Sequence, residues 1–385
     1  MNRLLRPAVI AILLLSGCRG GADFVPSDRI EEAESLEHLA KAAIADHLFP
    51  GCSIEVLHHR PQGDNHPIEL VLGHETYAPN SPEIRRDTRY DLASLTKVVA
   101  TTGIAMALHS QGRLDLDAPV SRWIPAFRGP KRDKVRLRHL LTHSSGLPAW
   151  KPFYKTLEGK QAYLDAICRT PLETIPGSRY RYSDLGMILF GFCLEKIGGA
   201  PLDQLASELV FVPLDMRHTR FGPLPPEIAG VAATEDVPDR GGVLRGVVHD
   251  ENAYAMGGIA GHAGLFSTAD DLMHYLQCLL EAGRWKGKQV FSKVTVRLFI
   301  RRAHVVKGSS RALGFDTAHP GSIAGRYAST GSILHTGFTG TSILVDFHKG
   351  IAVVILTNRV HPTRKRKGIR AFRTQVHDLV ESPRP

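Results

Sequence analysis

Several features are missing from this 385-residue chain, and each absence excludes something. No apolar run approaches the roughly 18 residues needed to span a bilayer, so no transmembrane helix is expected. No heptad array, collagen period or repeat of solenoid length is present. Neither G-x-x-x-x-G-K-[ST] nor G-x-G-x-x-G occurs, which argues against nucleotide and dinucleotide binding. There is no G-x-S-x-G elbow, no C-x-x-C pair and no zinc-ribbon spacing. Nothing in the sequence therefore calls for a cofactor or a metal. With 43% hydrophobic and 22% charged residues, the chain has ample material for a core. Its length allows one large or two ordinary domains.

Residues 1–18 read as an export signal. Arg3 and Arg6 form a positive start, Ala8 to Leu15 a short apolar stretch, and Ser16 and Gly17 lead into Cys18. The string Leu15-Ser16-Gly17-Cys18 resembles the bacterial lipobox, in which the cysteine is lipidated. That reading puts the protein in the cell envelope, anchored to the periplasmic side of a membrane through Cys18, with residues 19–34 as a polar tether. Cys52, Cys168, Cys193 and Cys278 each lie among apolar residues and read as buried free thiols. The net charge is +10, and Arg364, Lys365, Arg366, Lys367, Arg370 and Arg373 cluster near the C-terminus. A solvated helix face explains that cluster slightly better than an anionic lipid or wall polymer does. An exported chain without a binding motif is not expected to take nucleic acid.

The hydrophobic pattern predicts a helix from about Ser35 to Leu48. Strands follow near Ser53–His58 and Glu69–Tyr77, then a long buried helix from Ser94 to Gln111. Residues 113–245 read as mainly helical. Further strands are expected at Gly331–Thr336, Ser342–Phe347 and Ile351–Thr357, and a closing helix at Arg370–Val380. Strands at both ends with helices between them predict an α+β fold: an antiparallel sheet built from both chain ends, flanked by helices, with an inserted all-helical lobe spanned within residues 35–382.

Three short strings carry the chemistry. In Ser94-Leu95-Thr96-Lys97 a helix would place the hydroxyl and the amine on one face, so the amine can accept the serine proton if burial or a neighbouring charge lowers its pKa. The apolar run Val98-Val99-Ala100 draws the lysine inward. In Tyr180-Arg181-Tyr182-Ser183-Asp184 a tyrosine before a helix can move a proton to a leaving group. It can equally be a core tyrosine followed by an Asp cap. His335-Thr336-Gly337-Phe338-Thr339-Gly340 ends one strand and precedes another, where Gly337 would let a substrate backbone lie close.

In this order and spacing, the three strings resemble the serine β-lactamase and penicillin-binding-protein family, in its class C-like branch. The resemblance extends to Leu140–Pro148 and Gly264–Leu272 and covers roughly residues 35–380. It implies that Ser94 is the acylated nucleophile and Lys97 its activating partner. It matches Tyr182 to the tyrosine of Tyr-x-Asn, and His335-Thr336-Gly337 to Lys-Thr-Gly. The backbone N–H groups of Ser94 and Phe338 would form the oxyanion hole. Two positions depart from the pattern. Asp184 stands for the family's Asn and either pairs with Lys97 or only caps the next helix. His335 stands for its Lys, which makes carboxylate recognition weaker and more pH-dependent.

A further segment, His249-Asp250-Glu251-Asn252-Ala253 with Gly257 to Gly264, resembles a branch linked to muropeptide turnover, including amidase-type members. His249, Asp250, Asn252 and His262 there either line the cleft or brace a Gly-rich loop. His143 and Ser144 read as a satisfied helix–loop junction. The function expected is an exported serine hydrolase acting through a Ser94 acyl-enzyme on an amide or ester, foremost of cell-wall peptide or muropeptide. The alternatives are an esterase of small acyl substrates, a D-peptidase, a weak β-lactamase, a penicillin-recognising sensor without turnover, and a noncatalytic wall-binding protein.

Overall fold

A computed structural model describes residues 27–60, 65 and 67–383. The expected signal, Cys18 and the first part of the expected tether lie outside the described residues. Strands from the two ends of the chain meet in a six-stranded antiparallel sheet. Its order is Asp316–Thr317, Ile333–Thr336, Ser342–Asp346, Ile351–Thr357, Gly51–His58 and Ile68–Gly73. The C-terminal hairpin thus joins the N-terminal one at the pair Ile54 and Ile355.

Alternation along the strands divides the core in two, because successive side chains of a strand point to opposite faces. Val353 and Ile355 face a layer made by the helices Ser27–Ala45 and Ile369–Glu381, together with Leu36, Ala40, Phe372 and Val376. Ala352, Val354 and Leu356 face the larger cluster, which runs through Leu272, Leu276 and Leu279 of the Ala269–Leu280 helix into the helical lobe. Both faces are covered, which is why Ile351–Thr357 is apolar almost throughout and buried at every position.

The first helix corrects one expectation. It begins at Ser27 rather than near Ser35, and Ala33 and Leu36 are buried beneath it. Residues 27–34 are therefore part of the folded unit, not of a tether. The second strand ends at Gly73, whose φ of +81° turns the chain. The long helix after Ser94 exists but is not uniform. A 3₁₀ turn at Ala93–Leu95 leads into a π-helical turn at Lys97–Thr101, and the α-helix proper is Thr102–Ser110. A single π turn inside a helix often marks a working site. Cys52, Cys168, Cys193 and Cys278 are buried and free.

Two elements aim the site. The Asp184–Gly198 helix is capped by Ser183, whose Oγ accepts from the Gly186 N–H at 3.0 Å, and it ends at Gly199 with φ +77°. The strand Ile333–Thr336 runs beside the start of the Ser94 turn. Among the described residues no single helix is long and apolar enough to cross a membrane.

Candidate active site

The Ser94 turn is held from several sides. Ala93 has φ +46°, an uncommon value for a residue with a Cβ. Its N–H is fixed by Asp91 Oδ1 at 2.8 Å. The other Asp91 oxygen accepts from the His249 N–H at 2.6 Å. The Asp91 carbonyl accepts from Thr339 Oγ1 at 2.6 Å, and the Leu92 carbonyl from Thr341 Oγ1 at 3.0 Å. The buried carboxylate of Asp91 therefore ties the serine turn to the His249 segment, and the two threonines tie it to the Gly337 loop. Asp91 and Thr341 did not stand out in the sequence, because an acid six residues before a lysine and a threonine after a Gly-rich turn carry no distinctive spacing, and Thr339 entered only as part of the His335–Gly340 string.

Lys97 is buried, with its Nζ donating to Ser94 Oγ at 2.8 Å and to the His262 carbonyl at 3.1 Å. The same Nζ lies 2.8 Å from Asp184 Oδ1 and 5.0 Å from the centre of the Tyr182 ring. Asp184 thus pairs with the lysine, and Ser183 does the capping. Burial by itself lowers the Lys97 pKa, but the Asp184 carboxylate, with Tyr182 beside it, more than reverses this and leaves it raised. The expectation of a lysine made basic by a lowered pKa is therefore corrected: with its pKa raised, Lys97 is held as an ammonium ion among four neighbours.

Tyr182 is half-buried between two imidazoles, with ring centres 4.5 Å from His143 and 6.0 Å from His335. His143 is buried with φ +53°, and its Nδ1 accepts from the Ser183 N–H at 3.1 Å. The expected satisfied junction is met only in part: the buried Nε2 has no hydrogen-bond partner among the described residues, and the ring backs the tyrosine. His335 Nδ1–H donates to the Thr336 carbonyl at 3.1 Å. Burial, with Arg311 and Lys97 adding positive charge nearby, pushes the His335 pKa well below its usual value. The imidazole is neutral at neutral pH, so His335 does not supply the positive charge of the lysine it replaces.

Thr336, Gly337 and Phe338 follow along the strand edge. A Cβ on Gly337 would fall 2.0 Å from Thr341 Oγ1 and 2.4 Å from the Leu92 carbonyl oxygen, so only glycine permits this approach of strand to serine turn. Two arginines hold the loop from behind. Arg373 Nη2 donates to the carbonyls of Gly337 and Thr341 at 2.8 and 2.7 Å. Arg359 donates to the Phe338 carbonyl from Nε at 2.8 Å and from Nη2 at 2.5 Å. Fixing both carbonyls fixes the peptide between them, and with it the direction of the Phe338 N–H. The Phe338 ring is 49% exposed and lies over Arg359.

These contacts correct the reading of the basic cluster. Arg373 is buried against the Gly337 loop, and Arg364 is paired with Glu235 and Glu251. Neither belongs to a solvated face.

The second group of expected site residues lies one layer away. His249 is buried, bonded to Glu235 at 2.9 Å, with its ring 5.7 Å from that of Phe338. His262 is bonded to Asp250 at 2.9 Å. Asn252 is also buried. Its Oδ1 accepts from the Tyr163 hydroxyl and the Tyr154 N–H, both at 3.0 Å, and its Nδ2 donates to the Lys151 carbonyl at 2.9 Å. With every polar atom of its amide engaged inside the protein, Asn252 braces the loop rather than lining the cleft. The His249 ring is held by Glu235 through Nε2 and stacks on Phe338. Among the described residues no group of three or more His, Cys, Asp or Glu side chains is placed to hold a metal ion.

A pocket of about 300 Å³ opens beside Tyr182, His335 and Thr336 and is lined also by Tyr180, Arg311 and Arg370. Arg311 is itself buried. Its Nη2 donates to the Gly314 carbonyl at 2.8 Å, while its Nε has no partner among the described residues. The nearest carboxylate, on Asp316, is 3.9 Å away.

Comparison with known proteins identifies the family and the fold. The family model described as Beta-lactamase aligns with residues 65–378. A Salmonella typhi protein that carries the provisional name of a D-alanyl-D-alanine carboxypeptidase is 37% identical over 306 residues, 71% of this chain and 70% of that one. Among solved structures, EstCE1, a hydrolase with promiscuous acyltransferase activity, superposes with a TM-score of 0.74 at 23% identity. It covers 92% of this chain and 100% of its own. A class C β-lactamase gives 0.73 at 18% identity, over 95% and 99%. A penicillin-binding protein homologue from Pyrococcus abyssi gives 0.69 at 22%, over 90% and 77%.

The close approach at Gly337 yields a prediction. Gly337→Ala forces the strand and the serine turn apart by a fraction of an ångström or more, so turnover of any acyl substrate should fall by roughly 100-fold. The fold should persist, since the strain is confined to one loop. Steady-state kinetics with a small activated ester, alongside a thermal melt, measures both.

Proposed function

The chain belongs to the β-lactamase family and is a serine hydrolase, and on that premise we propose that Ser94 is its acylated nucleophile and that it removes terminal D-alanine from cell-wall peptides. The observation that carries the nucleophile is the contact of one buried ammonium with Ser94, Asp184 and Tyr182.

The chemistry follows from the charge states. Lys97, held protonated by Asp184, donates toward Ser94 Oγ rather than accepting from it. The proton of Ser94 therefore passes to the phenolate form of Tyr182 as Oγ attacks the scissile carbonyl carbon. The oxyanion formed lies against the N–H groups of Ser94 and Phe338, donors that are worth about 3 kcal/mol each in such sites. Tyr182 then returns the proton to the departing amine, and the carbon–nitrogen bond breaks, leaving Ser94 acylated. In the second half Tyr182 takes a proton from water, the hydroxide adds to the acyl carbonyl, and Ser94 leaves with the proton restored.

The substrate side rests on two supports. The relatives that are 37% identical to this chain over 306 residues carry a provisional carboxypeptidase name. The pocket beyond Tyr182 is small and presents Arg311 and Arg370, a setting for a short leaving group that bears a free carboxylate. The Arg311 guanidinium, on the wall of this pocket, takes over the task the neutral His335 gives up. A single terminal residue fits this pocket better than the whole stem peptide released by an amidase.

The test is incubation of the chain with a muropeptide bearing a pentapeptide stem, with products weighed by mass spectrometry. Loss of one D-alanine, absent with Ser94→Ala, is the expected result. Release of the intact stem from muramic acid would replace this reading with the amidase one. Cleavage confined to small esters would make the protein an esterase.

We propose in addition that the protein is exported and lipidated at Cys18, which Leu15-Ser16-Gly17-Cys18 supports. In the expressed full-length chain, Cys18→Ser should move the protein from the membrane fraction to the soluble fraction. Equal membrane retention of both chains would contradict the anchor.

A further inference from the structure

A second groove, of about 990 Å³, lies between the loop Tyr154–Gly159 and the segment from Val237 to Gly257. It is linked to the reacting serine through a relay of contacts. Lys97 donates to the His262 carbonyl, and His262 is bonded to Asp250. Asp250 accepts from the Ala253 N–H and so starts the short helix Glu251–Ala255, whose Glu251 and Tyr254 line the groove. From the other side, Arg364 bridges the Phe338 ring, 5.9 Å away, and Glu251, 2.8 Å away.

The groove is built rather than incidental. Asn252 joins both walls, accepting from the Tyr154 N–H and donating to the Lys151 carbonyl. The Gly159 N–H donates across it to the Ala255 carbonyl at 2.8 Å. Arg240 is fixed by the Val248 and His249 carbonyls at 2.6 and 3.0 Å, and its guanidinium lies 3.9 Å over the Tyr254 ring. Tyr254 is nevertheless 49% exposed. One ring face is covered by the arginine, which leaves an exposed tyrosine surface held still at the groove. Tyr154 lines the same wall, and Trp150, 44% exposed, lies 6.4 Å from it.

The lining has an unusual balance. Glu158, Asp239 and Glu251 face Lys155 and Arg240, so charges of the two signs nearly cancel. An anionic or cationic ligand gains little there, and a lipid chain would find a rim of ions. Rigid aromatic faces interleaved with planar carboxylates and a guanidinium suit a neutral ligand with many hydroxyls and apolar C–H faces.

We propose that this groove is a saccharide subsite, which takes the N-acetylated sugar of a muropeptide while the far end of its stem peptide lies at Ser94. This rests on the cell-wall reading above and extends it: the enzyme would prefer peptides still attached to glycan over free peptides.

The test compares hydrolysis of a disaccharide-pentapeptide with that of the same pentapeptide without sugar, and separately titrates the chain with N,N′-diacetylchitobiose. The sugar-bearing substrate should show a KM about ten-fold lower. Tyr254→Ala should abolish that advantage and leave the sugar-free peptide unaffected, while Tyr254→Phe should keep it. Chitobiose should bind the parent chain and Tyr254→Phe and not bind Tyr254→Ala. Equal KM for the two substrates in the parent chain, or an equal loss on both in Tyr254→Ala, would overturn the subsite. If neither peptide is cleaved but chitobiose binds in a Tyr254-dependent way, the subsite stands and the carboxypeptidase reading fails.

Discussion

One buried positive charge organises this molecule. Lys97 is 1% exposed, and an ammonium in that position is tolerable only if an opposite charge and hydrogen-bond acceptors surround it. Asp184 supplies the charge, and Ser94 Oγ and the His262 carbonyl supply acceptors. Each partner arrives on a different part of the chain: the serine turn, the start of the Asp184–Gly198 helix, and the Gly-rich loop before Leu265. Holding one cation therefore requires the sheet-borne and lobe-borne halves of the cleft to meet at a fixed distance. The ion pair does structural and chemical work at once, and losing Asp184 alone would leave an uncompensated charge in the core.

Around that centre, the fold supplies rigidity where the chemistry needs it. The serine turn carries a strained Ala93, and such strain persists only when neighbours hold it. Asp91, Thr339 and Thr341 are those neighbours. The Gly337–Phe338 peptide is held in turn by Arg359 and Arg373, from the last strand's end and the final helix. The C-terminal elements thus complete a site whose nucleophile lies early in the chain, which is the functional consequence of a sheet assembled from both ends. The two hollows differ in character. Arg311 and Arg370 line the pocket beside Tyr182, and the groove lined by Tyr154 and Tyr254 is near-neutral.

Much of this could be read in the residues. The spacing of Ser94 and Lys97 put them on one face, and the apolar run after the lysine placed it indoors, where it lies. The central strands followed from their short apolar runs. What misled was context. Ser27–Asp28 begins a helix whose first turns are charged and look like tether, and their burial depends on a sheet that no local pattern announces. Arg364 and Arg373 sat in a run of basic residues, where a solvated face was the economical reading, yet partners more than 30 residues away draw two of them inward. For His249 and Asn252 the residues left two readings open, lining the cleft or bracing a Gly-rich loop. Their hydrogen bonds show them bracing. Asp91 and Arg311 gave no signal, since each acts through tertiary contacts alone.

In the mechanism proposed, Lys97 works as an ammonium ion because Asp184 keeps it so. The direct test is the pH dependence of Ser94 acylation in the parent chain and in Asp184→Asn. Adduct formation with an activated ester would be followed by intact-protein mass spectrometry, with a melt confirming that the variant folds. In the parent chain Lys97 stays protonated through the alkaline range. With the carboxylate removed, burial dominates and its pKa falls, so the charged form is lost as pH rises. The prediction is an alkaline decline in acylation of ~10-fold or more by pH ~9 in the variant only, where the parent chain holds its rate. An acylation rate in Asp184→Asn that stays level or increases with pH would contradict the account and make neutral Lys97 the base.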